Sequence, residues 1–174
     1  GAYIFPADFM LVAATNPCPC GMAPGPQCTC TPGQIRNYQG KLSQPFLDRI
    51  DICMEAPKVE YEELTGKETG MDSRAMREKV MLARMRQMER FREEKLTKNV
   101  QMGQNEIEKY CHLGKEEERM MRQAYEVMNL TVRSYHKVLK VARTIADMEA
   151  TESIHRHHIA EALSYRAFDK KYWN

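Results

Sequence analysis

An α/β segment followed by an all-α segment is the fold class that this sequence predicts, with the change near Pro57. Two kinds of pattern predict it. Residues 9–14 form an almost unbroken apolar run, typical of a parallel strand that is covered on both faces, and residues 51–54 form a second, shorter run. After Pro57, apolar residues recur at helical spacing, and capping residues and glycines separate the predicted helices.

The helical segment begins with a long predicted helix. Asp72 or Ser73 can cap its start, and it runs to about Lys95. Its predicted buried face consists of Met81, Leu82, Met85, Met88 and Leu96. Shorter helices are predicted at residues 105–111, 115–128, 132–148 and 155–168, and Thr131 is the predicted N-cap of the helix at 132–148.

The composition excludes some classes of protein. The chain has 174 residues with 26 basic and 24 acidic side chains, so its net charge of +2 is too small to indicate nucleic-acid binding through overall electrostatics. No apolar stretch approaches the roughly 18 residues that span a bilayer, and the N-terminus lacks the pattern of a signal peptide. We therefore expect a cytoplasmic location.

Two nucleotide-binding elements are missing from the sequence. There is no G-x-x-x-x-G-K-[ST] loop to hold phosphates, and no apolar strand ends in an Asp-Glu pair that could hold Mg²⁺. We therefore expect this chain alone not to hydrolyse ATP. Because the sequence starts at Gly1 and enters a buried-type strand almost at once, we interpret it as a fragment whose upstream part carries those elements.

Asn16 directly follows the first predicted strand. In a parallel sheet, ligands bind at the carboxyl ends of the strands, so the Asn16 amide could orient a water molecule against a γ-phosphate. The alternative is a turn residue, because an Asn before a proline, here Pro17, often opens a turn.

Arg49 lies in the segment Phe-Leu-Asp-Arg-Ile-Asp at residues 46–51. We expect Phe46, Leu47 and Ile50 to be buried, which leaves Asp48 and Arg49 free to project. A guanidinium group is permanently charged and rich in donors, which suits it to the charge that develops on a transferred phosphoryl group. Asp48 could orient Arg49 or pair with a neighbouring subunit. The alternative is a surface Asp-Arg ion pair, which stabilises little.

Four cysteines follow Asn16 within thirteen residues: Cys18, Cys20, Cys28 and Cys30. Four thiolates so close together can bind tetrahedral Zn²⁺, although C-x-C-x7-C-x-C is not the usual spacing of a zinc knuckle. A metal here could stiffen the loop that positions Asn16. Two alternatives are reduced thiols in a proline-stiffened loop and oxidation after purification, because a reducing cytoplasm disfavours structural disulfides.

Three motifs together resemble a known family. They are Phe-Met-Leu-Val-Ala-Ala-Thr-Asn-Pro-Cys-Pro-Cys-Gly at residues 9–21, the segment at residues 46–51, and Thr-Val-Arg-Ser-Tyr-His-Lys-Val-Leu-Lys-Val-Ala-Arg-Thr-Ile-Ala-Asp at residues 131–147. They are similar to motifs of the magnesium-chelatase-related, ComM-like bacterial AAA+ ATPases, over residues 5–168. Chelatase subunits share the Leu-Asp-Arg element, but the paired Cys-x-Cys insert points to the ComM-like group.

The resemblance implies that residues 1–57 are the C-terminal part of an AAA+ α/β core and that residues 58–174 are a helical lid domain. It implies that Asn16 is sensor 1, that Arg133 is sensor 2, and that both contact the nucleotide, while Arg49 is an arginine finger that acts across a subunit boundary. It further implies ATP and Mg²⁺ as cofactors of the full-length protein and a homo-oligomeric, hexameric ring.

The substrate that the resemblance implies is DNA, bound through parts outside this chain and remodelled by branch migration in recombination and competence. Two alternatives stay open. One is a zinc-stabilised module that binds nucleic acid or protein without hydrolysis, and the other is a chelatase-type ATPase subunit that inserts metal into a porphyrin.

The remaining expectations concern packing. On the predicted helix at 132–148, Arg133, Lys137 and Lys140 share a basic face whose lysines we expect to be solvated. The opposite face is expected to pack and consists of Tyr135, Leu139, Ala142 and Ala146. Two isolated cysteines are expected in the core, Cys53 and Cys111. Three histidines are expected to be exposed and without metal: His155, His157 and His158.

Overall fold

The structure, a computed structural model, describes residues 3–5, 7, 9–56, 59, 61 and 70–173, with the backbone alone at residue 44 and at residues 167–173. The chain forms two compact units, which we call the cysteine unit (Gly1–Ser43) and the helical unit (Gln44–Tyr172). The predicted domain boundary at Pro57 lies outside the described residues and stays a prediction.

The described part of the cysteine unit contains the helix α1 (Pro32–Gln39). Thr31 caps it through a reciprocal pair of hydrogen bonds: the Gln34 N–H donates to Thr31 Oγ1 (3.3 Å), and the Thr31 N–H donates to Gln34 Oε1 (2.8 Å). At its other end, the Gln39 amide donates to the Pro17 carbonyl (3.2 Å). The end of α1 is thereby joined to the start of the cysteine loop, residues 17–30.

None of the described residues forms a β-strand, which corrects the prediction for residues 9–14 and 51–54. A strand exists only through hydrogen bonds to a neighbouring strand, and the described residues provide no such neighbour for either run. The side chains of Phe9, Met10 and Val12 are 76%, 87% and 82% exposed. The described residues therefore show the helical half of the predicted fold class and not the α/β half.

The helical unit contains α2 (Gln44–Leu47), α3 (Ser73–Arg90), a 3₁₀ turn (Asn99–Gln101), α4 (Gln104–Tyr110), α5 (Lys115–Val127), α6 (Val132–Met148) and α7 (Arg156–Trp173). The predicted caps of α3 and α6 are confirmed. Asp72 accepts a hydrogen bond from the Ala75 N–H (2.7 Å), and Thr131 accepts one from the Ser134 N–H (3.1 Å). Of the helices that the structure describes, none has the length and apolar character needed to cross a bilayer.

The apolar core of the helical unit is built around α6. Leu139, Ala142 and Ala146 are buried, as predicted for this face. Other helices and connections contribute Phe91, Met102, Ile107, Cys111, Met121, Ile154, Ile159 and Ala162. Cys111 thus meets its prediction, whereas Cys53 is only half-buried.

The buried face of α3 is polar, which corrects the predicted apolar face. All four predicted core residues on α3 are more than half exposed: Met81, Leu82, Met85 and Met88. The buried residues are Ala83 and Gln87. Helix α3 is tied to α6 by Arg86, which donates to the Asp147 carbonyl (2.9 Å), and by Arg90, which pairs with the Asp147 carboxylate.

Asp147 is the centre of a buried polar network. Its carboxylate accepts hydrogen bonds from Arg90 (2.9 Å), Asn99 (2.8 Å) and Arg143 (3.2 Å). Arg143 also donates to the backbone carbonyls of Thr151 and Glu152. Because the Arg143 and Asp147 side chains are only 2% and 1% exposed, removing the Asp147 carboxylate would leave the Arg143 cation buried without a carboxylate partner.

Candidate functional site

The four cysteines of the loop bring their sulfur atoms together. The Cys18 Sγ lies 3.4 Å from that of Cys20 and 3.8 Å from that of Cys28, and the Cys20 and Cys28 Sγ atoms are 3.6 Å apart. With Cys30 included, all four sulfurs lie within 4.8 Å of one another. Every one of these cysteines is a free thiol.

This arrangement fits tetrahedral Zn²⁺. Four sulfurs, each about 2.3 Å from a zinc ion, stand ~3.8 Å apart when the angles are tetrahedral. The three measured separations, 3.4, 3.6 and 3.8 Å, are close to that value. Thiolates are also soft ligands that favour zinc over Mg²⁺. The structure therefore brings together the residues that the sequence analysis selected as metal ligands, with three sulfur separations close to those of a four-thiolate zinc site.

Tight turns build the loop around these thiols. The Gly21 N–H donates to the Cys18 carbonyl (3.0 Å), and Gly21 has a φ of +79°, a left-handed conformation that favours glycine. The Cys28 N–H closes a second turn on the Gly25 carbonyl (3.0 Å). The Ala23 N–H points at the Cys18 sulfur (3.4 Å). The backbone thus positions the thiols and also hydrogen-bonds to one of them.

The thiols differ in acidity. Backbone hydrogen bonds at Met22 and Thr29 lower the pKa of Cys20 to about 5. The pKa of Cys30 is raised to about 12, because desolvation and the neighbouring Cys20 and Cys18 thiols outweigh a backbone hydrogen bond that acts in the opposite direction. Thiolates packed this closely repel one another. A divalent cation removes that repulsion and allows all four to ionise.

Asn16 stands at the entrance of the cysteine loop and is exposed. A Cβ atom added to Gly21 would stand 3.7 Å from the Asn16 Cγ, so the Asn16 amide lies against the Cys18–Gly21 turn. The adjacent Thr15 hydroxyl is 3.4 Å from the Tyr38 hydroxyl of α1. Asn16 therefore lies beside the cysteine loop, and its neighbour Thr15 lies beside α1.

Arg49 lies in the helical unit, in the turn that follows α2. Its side chain is exposed, and its Nη1 donates to the Pro45 carbonyl (2.6 Å). Leu47 is buried as expected, but Phe46 is 40% exposed. Asp48 does not project freely as expected, because it accepts a hydrogen bond from Arg166 of α7 (3.3 Å). The surface pair of Asp48 with Arg49 is therefore replaced by a contact between Asp48 and the last helix.

Arg133 is exposed in the first turn of α6, and the described contacts give its guanidinium no ion pair or hydrogen bond. The lysines of the same face differ from it. Lys137 is only 15% exposed and contacts residues 49 and 51, which corrects the expectation that it is solvated. Lys140 is half-buried and donates to the Val100 carbonyl (3.0 Å). Arg133, Lys137 and Lys140 share one helical face, so their different exposure comes from contacts with other parts of the fold.

The histidines form a cluster that sequence reasoning predicted only in part. His155 and His157 are exposed as expected, but His158 is fully buried, and Glu149 completes a group of three possible metal ligands with His157 and His158. The Glu149 carboxylate lies 2.8 Å from His157 Nε2 and 3.0 Å from His158 Nε2. However, His158 Nδ1 accepts the His155 N–H (2.9 Å), so the proton of the neutral ring stands on Nε2. His158 therefore donates to Glu149, and this geometry favours hydrogen bonding over metal binding.

Two family models match the chain. Residues 70–166 match the model described as magnesium chelatase, subunit ChlI C-terminal, and residues 1–64 match the model described as magnesium chelatase, subunit ChlI. The two matches reach into both units and are separated by residues 65–69.

Curated proteins with similar sequences are much longer than this chain. The chain is 42% identical over 165 residues to the competence protein ComM of Haemophilus influenzae, which covers 94% of the chain and 31% of that protein. It is 40% identical over 167 residues to the protein YifB of Salmonella typhimurium, with 95% and 32% covered. A protein of Mycobacterium tuberculosis, Rv2897c, is 30% identical over 166 residues, with 95% and 33% covered. The chain thus spans 31% to 33% of the length of these relatives.

Proposed function

Because this chain belongs to the ComM-like, magnesium-chelatase-related family, we propose that it is the part of a ring-forming AAA+ ATPase that senses the nucleotide and completes the active site of a neighbouring subunit. The full-length protein binds ATP and Mg²⁺ and assembles into a homo-hexamer. In it, Asn16 acts as sensor 1, Arg133 as sensor 2, and Arg49 as an arginine finger in the next subunit's site.

The accessibility of Arg49 is the observation that carries this proposal. The turn at residues 46–51 has cations around it, but the half-buried Lys137 and the buried Arg166 are engaged in ion pairs within the unit. Arg49 is exposed, and its guanidinium donates to the backbone carbonyl of Pro45 rather than to a carboxylate. Among the residues that the structure describes, no carboxylate pairs with the Arg49 guanidinium, so its charge can stabilise a phosphoryl group supplied by another subunit.

The cysteine loop contributes a structural role in this proposal. Zn²⁺ held by Cys18, Cys20, Cys28 and Cys30 would cross-link the loop and hold the Cys18–Gly21 turn against Asn16. Such a four-thiolate site is closed, since the protein supplies all four ligands and no position remains for water or substrate. The metal would therefore stabilise the loop and take no part in hydrolysis.

DNA is the proposed substrate of the full-length motor. This step relies on the relative from Haemophilus influenzae, whose name associates it with competence. In the proposed activity, ATP turnover in the ring drives branch migration or remodelling of DNA that is bound by parts of the protein outside these residues.

Replacing Arg49 with alanine in the full-length protein tests the proposal. We expect Arg49→Ala to lower kcat for ATP by about 10³-fold or more, because an arginine finger stabilises charge in the transition state. ATP binding should change little, since the finger stabilises the transition state more than the bound substrate. Arg77→Ala, which removes an exposed cation from α3, is the matched control and should retain full activity.

Steady-state ATPase rates and equilibrium binding of a fluorescent ATP analogue give the two readouts. A kcat for Arg49→Ala equal to that of Arg77→Ala, in rings that still assemble, would refute the assignment of Arg49.

A non-hydrolysing, zinc-stabilised binding module is the second candidate, and the closed geometry of the cysteine cluster favours it. A chelatase-type ATPase subunit is a third possibility that the descriptions of the matching family models suggest. Absence of ATP turnover in the full-length protein would favour the binding module. ATP-dependent insertion of Mg²⁺ into a porphyrin would favour the chelatase.

A further inference from the structure

The turn that carries Arg49 is fastened to α6 by Lys137. The Lys137 Nζ donates to the Arg49 carbonyl (2.6 Å) and pairs with the Asp51 carboxylate (2.9 Å). Its side chain is 15% exposed, so much of its hydration has been replaced by these two oxygens. One ammonium group thus holds the backbone of Arg49 itself and the side chain two residues later.

Arg166 of α7 holds the same turn from a second helix. Its Nη1 donates to the Ile50 carbonyl (3.0 Å), and its Nη2 donates to Asp48 Oδ1 (3.3 Å). The Arg166 side chain is 5% exposed. A backbone hydrogen bond from the Cys53 N–H to the Tyr165 carbonyl (3.1 Å) continues the contact along α7. Lys137 and Arg166 therefore both donate hydrogen bonds to residues 48–51, which surround the Arg49 side chain.

Helix α6 connects this turn to the other proposed nucleotide contact. Arg133 and Lys137 are four residues apart on α6, which places them about 6 Å apart along the helix axis and on one face. A displacement of α6 that follows contact between Arg133 and a nucleotide would carry Lys137 with it. Through Lys137, it would also move the backbone of Arg49.

We propose that Lys137 and Arg166 are positioning residues that make the Arg49 finger move with the lid helices of its own subunit. This inference rests on the proposed function of Arg49. In this arrangement, Arg133 on α6 senses the nucleotide bound in one site, and that nucleotide influences where the Arg49 finger lies in the adjacent site. The consequence is cooperative ATP hydrolysis around the ring, and Lys137 is the link on which it depends.

Lys137→Met in the full-length protein tests this link, because methionine keeps much of the aliphatic stem and removes the donor. We expect kcat for ATP to fall about 10- to 100-fold, since a displacement of about 1 Å at a reacting group can have an effect of that size. KM should stay unchanged, and the Hill coefficient for ATP should fall towards 1. Lys137→Arg should recover part of both kcat and cooperativity.

Lys140→Met is the matched control, because Lys140 is also a half-buried lysine of α6 that donates to a backbone carbonyl, but at Val100. Its kcat and Hill coefficient should match the wild type. Asp51→Ala removes the carboxylate that pairs with Lys137. Because the Asp51 side chain is 52% exposed, this replacement should affect folding little, and it should also lower the Hill coefficient. Asp51→Ala combined with Lys137→Met should therefore cause less loss than the sum of the two.

Two results separate this inference from the function on which it rests. If Arg49→Ala abolishes turnover while Lys137→Met and Asp51→Ala both behave like Lys140→Met, the finger stands and the link to the lid is overturned. If Arg49→Ala itself retains turnover, the proposed function fails first. Thermal melting shows whether Lys137→Met unfolds the bundle. If it does, Asp51→Ala decides: an unchanged Hill coefficient overturns the link, and a lowered Hill coefficient supports it.

Discussion

The cysteine unit and the helical unit hold their functional residues by different means. In the described part of the cysteine unit, Cys18 is the buried residue, and turns, glycines and the clustered thiols shape the loop beside Asn16. In the helical unit, an apolar core and the Asp147 network fix α6, which carries Arg133. From this difference we expect the loop, which has almost no core, to depend on a cross-link to place one side chain, whereas the bundle places many through packing.

We expect the largest effect on stability from the Asp147 network. Removing the Asp147 carboxylate tests whether this network fixes α6 in the helical unit. We expect Asp147→Ala to lower the free energy of unfolding by about 3–5 kcal/mol, because it leaves the buried Arg143 cation without its partner. Urea denaturation followed by circular dichroism measures this loss. Glu93→Ala, at an exposed carboxylate, is the control and should change the midpoint little. A small loss for Asp147→Ala would show that apolar packing alone holds α3 and α6 together.

Metal removal should affect the cysteine unit and spare the helical one. We expect about one Zn²⁺ per chain in reduced protein prepared without chelators, since four thiolates complete a tetrahedral site. Cys28→Ser should lose that zinc, whereas Cys53→Ser, at a cysteine outside the cluster, should keep it. Elemental analysis gives the zinc content, and hydrogen exchange locates the change.

Faster exchange limited to residues 15–30 after zinc removal would sharpen the comparison between the units. A metal-free protein with unchanged exchange and four reactive thiols would show that the loop needs no ion to keep its shape.

The smallest expected effect concerns Glu149. Hydrogen bonds from His157 and His158 hold the pKa of Glu149 below its ordinary value of 4.5. A carboxylate with a lowered folded-state pKa adds stability above the unfolded pKa, and this stability is lost as the pH falls through the folded value. Glu149→Gln should therefore have a slightly lower Tm than the wild type at pH 7. The difference should shrink as the pH falls below 4.5. A difference that grows in acid would contradict this assignment.

Local signals were sufficient for most of the helical unit. Capping residues such as Asp72 and Thr131 marked helix starts, and α6 has the bounds that were predicted. The cysteine cluster was also predictable, because four ligands within one short loop meet without help from the rest of the fold. Such signals describe interactions between residues that are close in sequence, within a few helical turns or one loop.

The misjudged features depend on contacts between distant residues. The buried face of α3 is polar because its arginines meet Asp147, which lies 57 positions from Arg90. The buried His158 is hydrogen-bonded to Glu149, which lies nine positions earlier at the end of α6. The apolar run at residues 9–14 shows strand propensity, but a strand also needs a partner, which these described residues lack. The roles of Asn16, Arg49 and Arg133 in catalysis stay predictions.

Mixing two inactive full-length proteins tests the central claim most directly, that Arg49 acts in the neighbouring subunit while Asn16 acts in its own. Asn16→Ala and Arg49→Ala rings, each with little ATPase activity, are dissociated, combined and reassembled. Where an Arg49→Ala subunit supplies Asn16 and its neighbour supplies Arg49, an intact site forms, so the account predicts that turnover reappears and is greatest near equal proportions. If mixed rings assemble and remain as inactive as either parent at every ratio, Arg49 does not act across the subunit boundary.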